Sequence, residues 1–199
     1  EYGNCNHCNS FYASASKFWF PNEEGAKKLD AIFQEIKQAG ANQEYDCIIG
    51  LSGGVDSSYL AYIAKKAGLR PLAVHVDAGW NSELAVKNIE NIVKKLDIDL
   101  YTCVINWEEM RDLQLAFLRS GVANQDTPQD HAFFAALYGF AIKENIKYVL
   151  SGSNNSTEYI LPTAWGYDAM DSIHIKAIHK RFGKKKLKTF PFVNFFDLY

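Results

Sequence analysis

The stretch Cys47-Ile-Ile-Gly-Leu-Ser-Gly-Gly-Val-Asp-Ser-Ser58 decides the fold of this chain. Its apolar first part has the composition of a buried strand, its centre is a glycine turn, and an apolar pattern of helical period follows. Such a junction exposes unpaired backbone N–H groups and the positive end of the helix dipole. The stretch therefore predicts a site for an anion, above all for a phosphate group.

The residues of the turn indicate what kind of phosphate site this is. Gly53 and Gly54 allow positive φ and let a phosphate approach the backbone closely. The charge of Asp56 would repel a phosphate, which predicts a Mg²⁺ ion between the carboxylate and the phosphate. A Walker A loop is excluded, because no lysine stands at the required position. The predicted binding residues are Ser52, Gly53, Gly54, Val55, Asp56, Ser57 and Ser58.

Strand and helix patterns alternate along the rest of the chain. We predict strands at 45–51, 71–76, 100–105 and 147–152. We predict helices at 21–40, 55–67, 82–96, 107–119, 128–144 and 172–181. The alternation predicts an α/β fold with a Rossmann-like parallel sheet and helices on both faces. We assign residues 1–44 to a lead-in and residues 45–199 to the domain that carries the phosphate-binding turn, and we expect the chain to be part of a longer protein.

Polar clusters follow three of the predicted strands, at 52–57, 77–81 and 151–158. Ligands of parallel α/β sheets bind beyond the carboxyl ends of the strands, so we expect the three clusters to converge. Further nucleotide contacts are predicted at Val76, Asp77, Gly152 and Ser153. Asp77 could instead serve only as a turn or capping residue.

Residues outside these clusters are candidates for binding a second substrate. The loop 124–131 offers carboxylates, amides and an imidazole, although its acidic residues could simply cap the following helix. We predict His131 as a possible acid or base and His75 as a core residue. The predicted substrate contacts are Asp126, Gln129, His131, Asn154, Glu158, Lys184 and Lys186.

Composition and charge narrow the class of protein. The chain has 199 residues, 48% of them hydrophobic, and a net charge of −2. No apolar run is long enough to span a membrane, and no signal peptide is visible at the first residue. The segment 176–188 carries seven basic residues and no acidic one. This pattern predicts a contact with a phosphorylated ligand or a limited nucleic-acid contact, or else a solvated lysine-rich face.

The four cysteines fall into two groups. Cys47 and Cys103 lie in apolar strand patterns and are predicted core residues. Cys5 and Cys8 form a C-x-x-C pair, which is half of a structural zinc site. We predict a Zn²⁺ role for this pair in the intact protein, with the partner ligands upstream of Glu1, or else free thiols.

The turn at residues 52–57 resembles the SGGxDS signature of the PP-loop ATP pyrophosphatases. That resemblance implies cleavage of ATP between the α and β phosphates, transfer of AMP to a substrate oxygen, and release of pyrophosphate. It implies catalytic roles for Ser52, Asp56 and Ser57. Asp56 is then the Mg²⁺ ligand or the residue that organises the α-phosphate.

A wider resemblance joins the cysteine pair, residues 48–60, residues 75–82 and residues 150–158. Together these segments resemble the N-acetyl sugar amidotransferases of the WbpG/PseA-like group. The resemblance implies an enzyme that turns the acetamido group of a UDP-linked sugar into an acetamidino group with ammonia, for surface-polysaccharide (LPS O-antigen) or flagellin-glycan biosynthesis. It also implies a cytoplasmic protein and a separate glutaminase partner that supplies ammonia.

Two other functions remain open at this point. One is a tRNA-modifying PP-loop enzyme of the thiolation or lysidine type, which the basic segment favours and the acidic remainder of the chain disfavours. The other is an ATP-binding module without catalysis.

Overall fold

The computed structural model of the chain describes residues 3–15, 17, 19–153 and 168–193. The helices of this part are α1 (Asn6–Ala15), α2 (Glu23–Ala39), α3 (Val55–Lys66), α4 (Glu83–Leu96), α5 (Trp107–Ser120), α6 (Thr127–Lys143) and α7 (Ser172–Phe182). The strands are β1 (Cys47–Gly50), β2 (Pro71–Asp77), β3 (Leu100–Val104) and β4 (Val149–Leu150). The predicted α/β class is confirmed.

The four strands form one parallel sheet in the order β3-β2-β1-β4. Ile48 of β1 pairs with Leu72 of β2 on one side and with Val149 of β4 on the other. The chain adds β2 and β3 on one side of β1 and then crosses to place β4 on the other. The connections therefore reverse between β1 and β4, which is where sheets of this kind open a crevice for ligands.

Successive residues of the central strand pack on opposite faces of the sheet. Ile48 belongs to a cluster that includes Leu137 of α6. Ile49, the next residue, packs with Ala61 of α3 and Ile89 of α4. Burial on both faces explains why β1 has an unbroken apolar sequence and not an alternating one.

Helices α5 and α7 form an outer layer on the α6 side. Met110, Phe117 and Ile175 are fully buried there, and Phe190 packs against the same cluster. The outer layer brings the segment after α7 back across α5. Its placement decides where the basic residues of the chain lie.

Side-chain caps fix the beginnings of several helices. The Ser82 side chain accepts a hydrogen bond from the backbone N–H of Ala85 at the N-cap of α4. Asn106 accepts from the backbone N–H of Glu109 in the same way. The second cap holds the first turn of α5 directly after β3, at the carboxyl edge of the sheet.

Some elements differ from the sequence prediction. Helix α1 was not predicted, because its sequence of Asn, Ser, His and Cys has no apolar period. Strand β4 is two residues long, whereas the prediction ran from 147 to 152. Helix α2 packs through Phe33 and Ile36 into the same cluster as Cys47 of β1, so the lead-in shares a core with the sheet. The boundary at 44/45 stays a prediction.

The cysteines predicted as core residues are inside the protein. Cys47 is fully buried and Cys103 is half-buried, and burial raises the pKa of both thiols, that of Cys47 to about 12. Across the described residues, no helix combines the length and the apolar character that crossing a membrane requires.

Candidate active site at the carboxyl edge of the sheet

The turn between β1 and α3 is held by its own side chains. The Ser52 and Ser57 hydroxyl oxygens lie 3.1 Å apart, and Ser52 Oγ accepts a hydrogen bond from the backbone N–H of Gly54. The Ser58 hydroxyl donates to the carbonyl of Gly54 over 2.6 Å. These bonds shape the loop before any ligand arrives, which reduces the ordering cost of binding.

The start of α3 offers free hydrogen-bond donors. The first backbone N–H groups of a helix have no partner within the helix. The N-cap residue, Gly54, makes no side-chain capping bond, so Val55 and Asp56 present their N–H groups at the open end of the dipole. This is the arrangement that binds phosphate.

Helix α4 supports the loop from outside. Gly53 has φ +79°, and a Cβ atom there would lie 2.4 Å from the Ala85 carbonyl oxygen. The Asn88 side-chain amide donates to the Gly53 carbonyl over 3.1 Å. A side chain at position 53 would therefore clash with α4, as well as strain the backbone.

The loop after β4 reaches the same helix N-terminus. A Cβ atom on Gly152 would lie 3.1 Å from the Asp56 carbonyl carbon and 3.3 Å from the Ser57 nitrogen. The hydroxyl groups of Ser151 and Ser153 are 2.8 Å apart. The turn after β1 and the loop after β4 thus meet at the switch point of the sheet, as predicted.

A cleft of about 300 Å³ lies between these two loops and α6. Its polar wall includes Ser52, Asp56, Ser57 and Ser153, and α6 supplies the apolar wall through Phe133. Hydroxyl groups, helix N–H groups and one exposed carboxylate therefore converge on a partly apolar crevice. Such a set of donors fits a polyphosphate with a Mg²⁺ ion bound through Asp56 and the phosphate oxygens.

Comparison with known proteins assigns the family. A profile of the NAD synthase family matches residues 26–192. The chain belongs to the NAD synthase family. It is accordingly a PP-loop ATP pyrophosphatase domain, of a family that uses ATP and Mg²⁺.

Curated relatives of this NAD synthase-like chain catalyse several reactions. It is 27% identical to the NH₃-dependent NAD⁺ synthetase of Pyrococcus horikoshii over 161 residues, 77% of this chain and 59% of the relative. It is 30% identical to the tRNA(Ile)-lysidine synthase of Chlamydia pneumoniae over 114 residues, 56% of this chain and 32% of the relative. It is 28% identical to the GMP synthase of Pyrobaculum aerophilum over 148 residues, 71% of this chain and 26% of the relative. In each case the chain spans less than two thirds of the relative.

Solved structures of this fold agree with the architecture. NMN synthetase from Francisella tularensis superimposes with a TM-score of 0.52 at 22% identity, covering 82% of this chain and 71% of the other. The NH₃-dependent NAD synthetase of Campylobacter jejuni superimposes with a TM-score of 0.51 at 18% identity, covering 78% of this chain and 72% of the other.

A second cleft in the NAD synthase-like domain lies between β1, β2 and α6. It has a volume of about 310 Å³, and Ser52, Val76, Asn81 and Gln129 are among its lining residues. It adjoins the phosphate-binding turn through Ser52. The predicted residues Val76 and Gln129 are therefore brought together here, together with Asn81, which belongs to the polar cluster 77–81 but was not selected as a site residue.

Asp77 and His75 shape the end of β2. Asp77 Oδ1 accepts a hydrogen bond from the backbone N–H of Gly79 over 2.9 Å, which is a turn-forming role. His75 is buried as predicted; its Nδ1 lies 3.0 Å from the Leu51 carbonyl oxygen, and the Asn81 amide lies 3.2 Å from its Nε2. Because a carbonyl only accepts, Nδ1 carries the proton and Nε2 accepts from Asn81.

Asp130 is a further cleft residue that the sequence analysis did not select. Part of the side chain is open to solvent, but it lines the second cleft beside Gln129. Burial of the carboxyl group, and then the charge of Asp126, raise the pKa of Asp130 to about 6. Asp126 itself is exposed and makes no side-chain capping bond to α6.

The prediction of His131 as an acid or base needs correction. This side chain is fully buried. Its Nδ1 lies 2.7 Å from the Ala169 carbonyl oxygen, and its Nε2 accepts the backbone N–H of Val193. Burial lowers its pKa. His131 therefore ties three parts of the chain together and has no free ring nitrogen for a substrate.

The basic segment does not fold over the phosphate-binding turn. The backbone N–H groups of Lys184 and Lys185 donate to the Asp112 carboxylate of α5, each over 2.9 Å. Lys186 is exposed on the same segment, and neither Lys184 nor Lys186 lines the two clefts. Asn154 and Glu158 lie outside the described residues.

The cysteine pair lies at the start of α1. Cys5 Sγ and Cys8 Sγ are 3.5 Å apart, and both residues are exposed. Hydrogen bonds from Cys8 lower the pKa of Cys5. Within the described residues no cluster of three or more His, Cys, Asp or Glu could hold a metal ion. The zinc role stays a prediction that depends on ligands from elsewhere.

Proposed function

We propose that this protein is an ATP-dependent amidotransferase that forms an acetamidino group on an acetamido sugar. ATP is cleaved between its α and β phosphates, and AMP is transferred to the amide oxygen of the sugar. Ammonia then attacks the activated carbon, AMP leaves with the oxygen, and an amidine remains. The step works because an amide oxygen is a very poor leaving group until it carries AMP.

The observation that carries this proposal is the convergence of the 52–58 turn, the α3 N-terminus and the 151–153 loop on one cleft. Helix N–H groups and serine hydroxyls bind the departing pyrophosphate, and Asp56 is the residue that would hold a Mg²⁺ ion at the phosphates. When bound, Mg²⁺ neutralises the charge that develops on the phosphate oxygens. The preformed loop holds the α-phosphate in line with the incoming oxygen.

The identity of the acceptor is supported by observations other than the geometry of the cleft. The wider sequence resemblance through the cysteine pair and residues 48–60, 75–82 and 150–158 points to an acetamido sugar on a UDP carrier. The relatives include an NH₃-dependent NAD⁺ synthetase and a glutamine-hydrolysing GMP synthase, which supports ammonia as the nitrogen source. We propose a separate glutaminase partner in the cytoplasm as its supplier, because none of the described cysteines is placed to hydrolyse glutamine.

The test is pyrophosphate release from ATP and Mg²⁺, with ammonium and UDP-linked acetamido sugars as substrates. The expected sugar product is lighter by the difference between an oxygen atom and an imino group, which mass spectrometry resolves. Asp56→Asn should abolish release. Asp30→Asn, an exposed position on α2, is the matched control and should not. Turnover near the wild-type rate in Asp56→Asn would refute the metal role of that carboxylate.

A second candidate is a tRNA-modifying enzyme that uses the same activation step. It is favoured by 30% identity to a tRNA(Ile)-lysidine synthase and to a tRNA-specific 2-thiouridylase from Fusobacterium nucleatum, the latter over 56% of this chain and 34% of the relative. A tRNA acceptor should bind with an affinity that falls steeply with salt and should stimulate pyrophosphate release. If acetamido sugars give no release and tRNA does, the sugar proposal fails. If ATP binds and no acceptor gives release, the chain is a binding module.

A further inference from the structure

Two exposed tryptophans stand together at the carboxyl edge of the sheet, outside both clefts. Trp80 follows β2 and Trp107 opens α5 after β3. Their rings are 4.9 Å apart at 72°, an edge-to-face pair, yet 53% of Trp80 and 43% of Trp107 remain open to solvent. Large aromatic rings left exposed beside a ligand cleft mark a binding surface more often than isolated exposed residues do.

The backbone beneath this tryptophan pair has a glycine where the ring of Trp107 packs closely. Gly79 has φ +86°, and a Cβ atom there would lie 2.5 Å from the ring of Trp107. The turn after β2 is also fixed by the bond from the Gly79 N–H to Asp77. The ring of Trp107 therefore rests on bare backbone, and its position relative to Trp80 is set by a turn that only glycine fits well.

The basic segment 184–188 is bound to the helix that Trp107 opens. Glu108, the residue after Trp107, is bonded to Lys185 over 2.5 Å, and the Lys188 backbone N–H donates to Glu109 over 2.9 Å. The segment 184–188 is thereby fastened to the first turns of α5, the helix that Trp107 opens. Three exposed lysines of this segment form no ion pair with another described residue: Lys184, Lys186 and Lys188.

The position of the pair separates it from the ATP site. Under the proposed function the phosphate groups of ATP bind at the turn after β1, in the cleft lined by Ser52, Asp56 and Ser57. The tryptophans stand one to two strands farther along the edge, roughly 10 Å from the turn after β1 at the usual strand spacing. That separation suits a second substrate whose reactive end reaches the α-phosphate from this side.

We infer that Trp80, Trp107 and the segment 184–188 form the subsite for a nucleoside diphosphate, the carrier of the acceptor. The planar base stacks on the tryptophan pair, and the exposed lysines bind the diphosphate. This inference rests on the proposed function for its account of the substrate, but the binding itself can be measured without turnover.

The first test is calorimetric titration of the chain with UDP, uridine and ATP. Trp80→Leu should weaken UDP binding by about tenfold, the range that stacking of one base on an aromatic ring contributes. ATP binding should stay unchanged, and Trp80→Phe, which retains an aromatic ring, should restore most of the UDP affinity. Trp19→Leu is the matched control, because Trp19 is similarly exposed and far along the chain from this edge.

The proposed role of the lysines is tested by comparing the affinity of each variant for UDP with its affinity for uridine. Lys186→Gln combined with Lys184→Gln should weaken UDP binding several-fold and leave uridine binding unchanged, because only UDP carries the phosphates. Lys147→Gln, an exposed lysine before β4, should alter neither. Equal loss of UDP and uridine affinity in the double variant would contradict the diphosphate role.

Three results would overturn the subsite. They are no UDP binding by the wild-type chain, an equal effect of Trp80→Leu and Trp19→Leu, or loss of ATP affinity in step with UDP affinity. Binding of single-stranded RNA that requires Trp80, without UDP binding, would overturn it in favour of a nucleic-acid surface. If UDP binds in a way that requires Trp80 but the chain releases no pyrophosphate, the proposed reaction is wrong and the proposed subsite is still supported.

Discussion

Gly152 shows how closely single residues control the candidate site. A Cβ atom on Gly152 would lie 3.1–3.3 Å from the Asp56 carbonyl group and the Ser57 nitrogen at the start of α3, which is tighter than an ordinary contact with backbone atoms. The close approach brings the serines of the 151–153 loop to the phosphate-binding turn. A methyl group at this position would require the loop and the helix N-terminus to move apart by a few tenths of an ångström.

Gly152→Ala is therefore expected to reduce ATP-dependent pyrophosphate release by on the order of tenfold to a hundredfold, since small misplacements of catalytic groups have effects of this size. Gly139→Ala is the control: position 139 lies in α6 with open space around it. Alanine there should raise the free energy of unfolding by roughly 0.5–1 kcal/mol and leave turnover unchanged. Full activity of Gly152→Ala would show that the two loops do not act together.

Asp130 is expected to destabilise the fold above pH 6. Its pKa is about 6 in the folded chain against an ordinary value of 3.8, so between these values the folded state holds more protons than the unfolded state. Stability contributed by this group therefore falls as the pH rises through that window. Asp130→Asn should raise the melting temperature above pH 6 by roughly 2 °C, a modest gain because the side chain is partly exposed.

Thermal unfolding across the pH range checks this prediction. The gain from Asp130→Asn should vanish as the pH falls below 3.8, where the wild-type carboxyl group becomes neutral in both the folded and the unfolded state. Asp126→Asn removes one cause of the raised pKa and should shift the same window to lower pH. A lower melting temperature of Asp130→Asn above pH 6 would mean that the charge forms a stabilising contact.

At the scale of elements, α5 and the segment after α7 depend on each other. Burial alone would raise the pKa of Glu109, but hydrogen bonds from the backbone of Thr189, Lys188 and Phe190 outweigh it and lower the pKa. Burial would likewise raise the pKa of Asp112, but hydrogen bonds from the backbone N–H groups of Lys185 and Lys184 outweigh it and lower the pKa. The two carboxylates therefore stabilise the fold above their unfolded pKa, and this stability is lost as the pH falls through their lowered folded pKa.

Glu109→Gln should lower the free energy of unfolding by about 1.5–3 kcal/mol, the range for hydrogen bonds to a charged group. Glu108→Gln, the adjacent residue with an exposed surface ion pair, is the control and should unfold like the wild type. Denaturant unfolding measures both. Equal stability of the two variants would show that the segment is held by apolar packing of Phe190 and not by the carboxylate.

Strands and helices differ in how well the sequence predicted them. Helix α6 was predicted at 128–144 and runs from Thr127 to Lys143, because its long apolar pattern leaves little choice. Strand β4 was predicted too long, since the apolar run 147–152 does not show where pairing with β1 stops. Helix α1 was not predicted, because its largely polar sequence shows no clear apolar period.

At the scale of the whole molecule, the site couples nucleotide binding to stability. The turn after β1, α3 and the loop after β4 come from three separate parts of the chain, and one ligand would join them. An ATP analogue with a methylene bridge between the α and β phosphates, which cannot be cleaved there, should therefore stabilise the fold together with Mg²⁺.

At a hundred times its dissociation constant, that analogue should add about 2.7 kcal/mol to the free energy of unfolding. Removing Mg²⁺ with a chelator should reduce the effect, and Asp56→Asn should be insensitive to the chelator. The measurement is the melting temperature with and without each component. A wild-type shift that does not depend on Mg²⁺ would contradict the role of Asp56 in holding a metal ion against the phosphates.

The sequence by itself determined the local structure: the strand, turn and helix of residues 47–66, the alternation of strands and helices, and the phosphate-binding character of the turn. These follow from short-range patterns of apolar residues, glycines and serines. Only the tertiary structure decided the roles of His131, Glu109 and the lysines of 184–188, and the meeting of Trp80 with Trp107. Their partners lie tens of residues away along the chain, and no local pattern of polar residues records which distant backbone groups will bond to a buried side chain.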